Sequence, residues 1–298
     1  MKILITGSTG LLGQALSRHL APLGDVTGLS RHAPVSQAPG RHVVCDLLDG
    51  ARIHEIIQQA APAVVIHTQA LSDVDRCEQE PVQARAMNVT ATGHLVSAVS
   101  RVNAWLFSVS TDYVFDGASR RPYDEEDAPR PLSVYGRSKL DGERLALAYA
   151  RSVVIRPSTL FGPGRMNFCD QVVTRLNAGE PVEAFVDQWT SPSYTEDVAE
   201  AMAQLVPVVM RSSAPSRVLH LSNAGGCSRW EFARRIAERL GVPADGLRGI
   251  RMEEQRRPAP RPAYSVLTSR YLVSWIGRFL PPWEHALERY LRQRHWIS

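Results

Sequence analysis

Short apolar runs alternate with amphipathic stretches through the first half of the chain, and this alternation restricts the fold more than any other feature. KILIT (2–6), DVTGLS (25–30), HVVC (42–45), AVVIHT (63–68), AWLFSVS (104–110) and SVVIRP (152–157) are short, continuous and rich in β-branched residues, as buried strands are. Between them lie helical patterns near 11–22, 50–60, 78–102 and 134–150. Strand and helix in alternation predict an α/β fold, a doubly wound parallel sheet covered by helices on both faces. The spacing assigns 1–161 to one domain. EAFVD (183–187) and RVLHLSN (217–223) are candidates to return to its sheet, and 162–298 is expected to be mainly a smaller α/β lobe. The segment 253–266, dense in Pro and Arg, is expected to be a loop.

A chain of 298 residues, 44% of them apolar, can fill a large core and a smaller attached one. The four cysteines are scattered, with no C-x-x-C pair and no Cys/His cluster, so neither a disulfide framework nor a metal site is expected. No stretch is long and apolar enough to span a bilayer, and Met1 leads straight into a strand rather than a secretory leader, so the expected location is the cytoplasm. The net charge is only +4, with acidic residues between dispersed arginines, which argues against a nucleic-acid partner. Four adjacent acids, Asp124 to Asp127, read as a solvated surface loop.

The first chemical signal is Thr6-Gly7-Ser8-Thr9-Gly10-Leu11-Leu12-Gly13, directly after the first strand and opening a helix. Gly7 permits the sharp turn, Gly10 the approach of a pyrophosphate, and Gly13 close packing of the helix, whose N-terminus then faces the phosphates. The spacing is G-x-x-G-x-x-G rather than G-x-G-x-x-G, so the strand–turn–helix context carries the expectation of a Rossmann-type dinucleotide site. The second strand ends in Ser30-Arg31-His32 without a carboxylate to hold a ribose 2′-OH, which favours NADPH, with NADH as second choice.

Only two lysines occur, Lys2 and Lys139, in a chain that otherwise uses arginine for positive charge. Lys139 follows Tyr135 by four residues, so on a helix the ammonium and the phenol share a face. A nearby cation is expected to lower the phenol's pKa, and a compact ammonium can also reach a cofactor ribose. Ser110 and Thr111 close the fifth strand, where hydroxyls would meet the tyrosine at the carboxyl edge of the sheet. Hydroxyl, phenol and ammonium beside a nicotinamide suit reduction of a carbonyl.

These motifs resemble the extended short-chain dehydrogenase/reductases, specifically the dTDP-4-dehydrorhamnose reductase family, nearly along the whole length. GSTGLLG, SDVDRCEQEP (72–81), MNVTAT (87–92), STDYVFDG (110–117), VYGRSKLDGE (134–143), RPSTLFGPG (156–164) and DQWTSPSYTEDVA (187–199) carry the likeness. The resemblance implies Thr111, Tyr135 and Lys139 as catalytic groups with Ser110 adjacent, and a nucleotide-sugar substrate, most simply dTDP-4-dehydro-L-rhamnose. It implies cofactor contacts from the first turn, from Asp46 and Leu47, from Thr68, Gln69 and Ala70, and from Asn88 and Pro157. A homodimer is the candidate assembly. Without the resemblance, Asp46 reads equally well as a helix N-cap. The chain departs from the family where His67-Thr68-Gln69-Ala70 replaces small residues, expected to set bulkier groups beside the cofactor, and where Thr159 stands at the place of a pocket Trp. Related 4,6-dehydratases carry a Glu after Thr-Asp, and here Tyr113 follows Asp112. C4 epimerases, and a binding module similar to the methionine adenosyltransferase β subunit, stay open as alternatives. Arginines in 256–261 are candidates for the substrate's diphosphate.

Overall fold

A computed structural model describes residues 1–33, 40–212 and 217–298. The first half runs β1 (Lys2–Thr6), α1 (Leu11–Leu20), β2 (Asp25–Ser30), β3 (Arg41–Val44), α2 (Gly50–Ala60), β4 (Val64–His67), α3 (Val74–Gln79), α4 (Pro81–Arg85), α5 (Ala91–Arg101), β5 (Trp105–Val109), α6 (Val134–Leu147) and β6 (Ser152–Arg156). These six strands and Arg217–His220 form one parallel seven-stranded sheet, whose order from one edge is Arg217–His220, β6, β5, β4, β1, β2, β3. The order reverses between β1 and β4, so their carboxyl ends open a crevice, the usual place for a ligand in such a sheet.

Alternation along each strand divides the core into two layers. Ile3, Ile5, Ile66 and Phe107 pack with Leu12 and Leu16 of α1 and with Val198 and Leu205 of α8 (Thr195–Arg211). Leu4, Val65 and Leu106 face the other way, onto Ile53, Leu95 and Ala146 from α2, α5 and α6. A third cluster beyond residue 160 joins Phe161, Val172, Phe232, Leu287 and Tyr290. It packs α7 (Phe168–Asn177) and α9 (Arg229–Leu240) against the helix Trp283–Gln293.

Three expectations are corrected. The single helix expected over 78–102 is four segments, because Pro81 starts a new helix at its first turn and Ala86–Thr90 forms a π turn. The run at 183–187 does not return to the main sheet; Val182–Phe185 pairs in parallel with Leu247–Ile250 in a separate ladder. The acidic loop is only partly a solvated patch: Glu126 is exposed, but Asp124 is 6% exposed and accepts from Arg270, while Glu125 accepts from the His220 backbone N–H at 2.9 Å and from Ser269. Desolvated carboxylates need such donors.

Candidate active site

The glycine turn is built by steric exclusion. Gly7 holds φ +70°, and a Cβ there would stand 2.7 Å from Thr68 Oγ1; a Cβ on Gly13 would stand 2.2 Å from the Gly7 carbonyl oxygen. The turn therefore sits tight against both β4 and its own helix. Helix α1 follows Gly10 with no side chain capping it among the described residues and no acid in its first turn, leaving first-turn N–H groups and the positive end of the helix facing the crevice.

A cavity of about 360 Å³ opens from this turn. Thr9, Gly10, Leu11 and Leu12 floor it, Ser30 and Arg31 stand at one end, Thr68, Gln69 and Ala70 form a side wall, and Ser110, Tyr135 and Lys139 close the other end. Ser30 Oγ donates to the His32 carbonyl at 2.7 Å and lies 2.9 Å from His42 Nε2, which ties down the backbone around Arg31. The Gln69 side-chain amide is buried with neither its oxygen nor its nitrogen partnered among the described residues. An orphaned amide on the wall and bare helical N–H groups on the floor fit a polar, anionic dinucleotide.

Ser133 caps α6 by accepting from the Gly136 N–H at 3.2 Å, and the first two turns of the helix carry Tyr135 and Lys139, which are 9% and 8% exposed. Lys139 Nζ donates to the Val109 carbonyl at 2.7 Å, and burial lowers its pKa to about 8 against the opposing pull of Glu143 and Cys77. Burial pushes the Tyr135 phenol up, with Thr111 hydrogen bonding pulling it down and the charges of Asp112, Cys77 and Tyr113 pushing it further up. The expectation that Lys139 lowers the phenol is thus corrected for the chain on its own: desolvation dominates, and the ammonium is turned to a backbone carbonyl.

Ser110 and Thr111 are held differently. Ser110 Oγ donates to Glu143, whose carboxylate is gripped by Arg156 at 2.9 and 2.7 Å, with both side chains no more than 4% exposed. The Ser110 proton is committed there, so toward the cavity this hydroxyl presents lone pairs. Thr111, just behind the cavity lining, caps the short turn Asp112–Val114, accepting from the Tyr113 N–H at 3.2 Å and donating to Asp112 Oδ1 at 3.1 Å. Asp112 also accepts from Ser158 and Ser265, at 2.7 and 2.6 Å, and burial raises its pKa despite these donors.

Residues 1–295 match the family model described as the RmlD substrate binding domain. The chain belongs to that family. A dTDP-4-dehydrorhamnose reductase of Mycobacterium tuberculosis is 38% identical over 291 residues, covering 95% of this chain and 89% of the relative. A spore coat polysaccharide biosynthesis protein of Bacillus subtilis is 33% identical over 295 residues, 98% of each. Among solved structures, a dTDP-4-dehydrorhamnose reductase from Bacillus anthracis in complex with NADP is 28% identical with a TM-score of 0.86, covering 98% of this chain and 99% of that one.

Not every residue anticipated for an RmlD-family site lies on the cavity. Leu47 is fully buried in the core behind β2. Asp46 accepts from the Leu48 N–H at 3.0 Å, and the cap of α2 is Asp49 instead. The π turn aims Asn88 inward, where it bonds the Leu71 backbone N–H and carbonyl and donates to Ser138 at 2.9 Å, so it braces the β4 loop against α6. Pro157 contributes a carbonyl that accepts from the Asp112 N–H at 3.1 Å. His67 does not stand beside the crevice, because alternation puts it on the face of Val65 toward α5. Its Nδ1 lies 2.8 Å from Thr6 Oγ1 and its Nε2 3.1 Å from Thr92 Oγ1, and burial with the nearby Lys139 charge lowers its pKa to about 3. Thr92 donates to the Asn88 carbonyl, so the proton of neutral His67 sits on Nε2. Thr159 holds φ +26°, a strained position for a β-branched residue.

A second cavity, about 540 Å³, adjoins Tyr113 and Gln188 and is walled by arginines. Gln188 Nε2 donates to the Tyr113 hydroxyl at 3.0 Å. Arg261 is held by Asp75 of α3 at 3.0 and 2.7 Å, whereas Arg257 lies over Phe185 and Arg229 over Phe168, with no carboxylate within 4.0 Å of either among the described residues. Gln188, Arg229 and Glu143 escaped sequence reasoning: each stands in a quoted motif or helix, but nothing local marks its tertiary partner.

Proposed function

We propose that this RmlD-family chain is an NADPH-dependent reductase of a 4-keto-6-deoxy nucleotide sugar, converting dTDP-4-dehydro-L-rhamnose to dTDP-L-rhamnose. The observation that carries the reading is one cavity lined by both the glycine turn and the Ser110, Tyr135, Lys139 set. Relatives along nearly the full length carry the reductase name, and one is an NADP complex. NADPH, when bound, supplies the hydride to the carbonyl carbon. Tyr135, kept protonated by burial, gives its proton to the carbonyl oxygen, and Thr111 turns the hydroxyl it gives to Asp112 in the free chain toward that oxygen. Lys139 spends one donor on Val109 and keeps two for the cofactor ribose and the phenolate left after proton transfer. Ser110 accepts rather than donates. A binding-only role, like that of the second reading from sequence, leaves this set without a use.

The nucleotide diphosphate is assigned to the arginine-walled cavity, with Arg257 and Arg229, neither of which has a carboxylate partner among the described residues, as its cations and Arg261 as their support. Arg257→Ala should raise KM for the sugar about ten-fold and leave the NADPH Kd unchanged. Equal weakening of both ligands would move Arg257 out of the substrate site. The activity itself is tested by NADPH oxidation with dTDP-4-dehydro-L-rhamnose beside its GDP-linked 4-keto counterpart. Turnover of the dTDP sugar supports the reading, turnover of the GDP sugar alone changes the substrate, and tight NADPH binding with no turnover of either removes the enzyme assignment.

A further inference from the structure

We infer that Arg165 is a pyrophosphate-binding residue for the dinucleotide, brought by a loop of the second half of the chain across the glycine turn; this rests on the reading of that cavity as the NADPH site. Arg165 is 156 positions from Thr9, yet its Nε donates to the Thr9 carbonyl at 3.1 Å and its side chain lines the cavity. Gln14 Nε2 donates to the same carbonyl at 3.1 Å, and Gly164, at φ +114°, lies so close that a Cβ there would stand 2.7 Å from Gln14 Oε1. The loop is thus seated on the first turn of α1. Two residues beyond Arg165, the buried Asn167 caps α7 and donates to the Gly162 carbonyl at 2.9 Å, so the loop is anchored close to the arginine.

Charge completes the case. One of five guanidinium donors is used on Thr9, and no carboxylate lies within 4.0 Å of Arg165 among the described residues. The arginine is held over the positive end of α1, which has no acid in its first turn. Two positive sources converge on one space, an arrangement that favours an anion between them. A dinucleotide places its pyrophosphate at such a turn, and that group is common to NADPH and NADH, unlike the 2′-phosphate of NADPH alone, which an arginine at the end of the second strand, here Arg31, accommodates.

The test is equilibrium titration of the full chain with NADPH, NADH and adenosine 2′-monophosphate, followed by fluorescence, for wild type, Arg165→Ala, Arg165→Lys and Arg31→Ala. Arg165→Ala should weaken NADPH and NADH by the same factor, about ten-fold, with adenosine 2′-monophosphate unchanged and Arg165→Lys intermediate. Arg31→Ala should weaken NADPH more than NADH. If Arg165→Ala leaves both dinucleotides unchanged, weakens NADPH alone, or weakens adenosine 2′-monophosphate equally, the role of Arg165 is overturned while wild-type binding still supports the cavity. Failure of wild type to bind NADPH removes the cavity reading, and Arg165 with it.

Discussion

Tyr135 and Lys139 share one face of α6, and burial moves their proton affinities in opposite senses: the phenol holds its proton more tightly and the ammonium less. Both shifts disfavour the charged form, as a low-dielectric site must. The consequence for pH is specific. Lys139 loses its charge as pH rises through about 8 in the folded free protein, but only near 10.5 when unfolded. Between those values the unfolded chain binds more protons, so this group makes stability rise with pH across the window and contributes no slope below it. Urea unfolding of the free protein should show that rise, and Lys139→Met should flatten it. A rise of equal size in the variant would assign it to other groups. The i, i+4 pair was legible because lysine is so rare here, but the sign of the phenol's shift was not: it depends on how β5 and the turn after it cover the helix.

At the scale of elements, the Glu143–Arg156 pair joins α6 to β6 under the site and fixes Ser110 from below. Arg156 also reaches His220 at 3.4 Å, on the sheet's edge strand. Glu143→Gln should cost about 3–5 kcal/mol of stability, because a buried guanidinium is left without its counter-charge, and pairing it with Arg156→Met should recover most of that loss. Denaturant midpoints with unchanged slopes measure both. A single variant as stable as wild type would show the pair to be dispensable. Apart from 217–223, which ends at His220, strand positions in the main sheet were readable to within a residue or two, since buried parallel strands write themselves as continuous apolar runs. The break inside 78–102 was less visible: Ala84, Met87 and Ala91 continue an apolar pattern through a π turn whose effect is to point Asn88 inward. For 183–187, alternation shows a strand but not its partner, which lies more than sixty residues away.

Over the whole molecule, two cavities flank the turn Asp112–Val114: Ser110 before it lines the dinucleotide cavity and Tyr113 within it lines the arginine-walled one. The dinucleotide cavity comes from β1, β2, β4, β5 and α6, and the arginine-walled one draws mainly on residues beyond 165. Asp75 and Arg261 bridge α3 to the loop that supplies Arg257, so the first half of the chain helps to shape the substrate side. The cofactor side was legible because a strand, a glycine turn and a helix lie consecutively in sequence. The substrate side and the Arg165 contact were not, since they depend on loops that meet only after the core has formed. The central claim is that Tyr135 delivers the proton in carbonyl reduction. Its most direct test is Tyr135→Phe assayed with NADPH and dTDP-4-dehydro-L-rhamnose, with the NADPH Kd measured on the same preparation. The account predicts an unchanged Kd and a kcat lower by about 10²–10⁴-fold; turnover at the wild-type rate would contradict it.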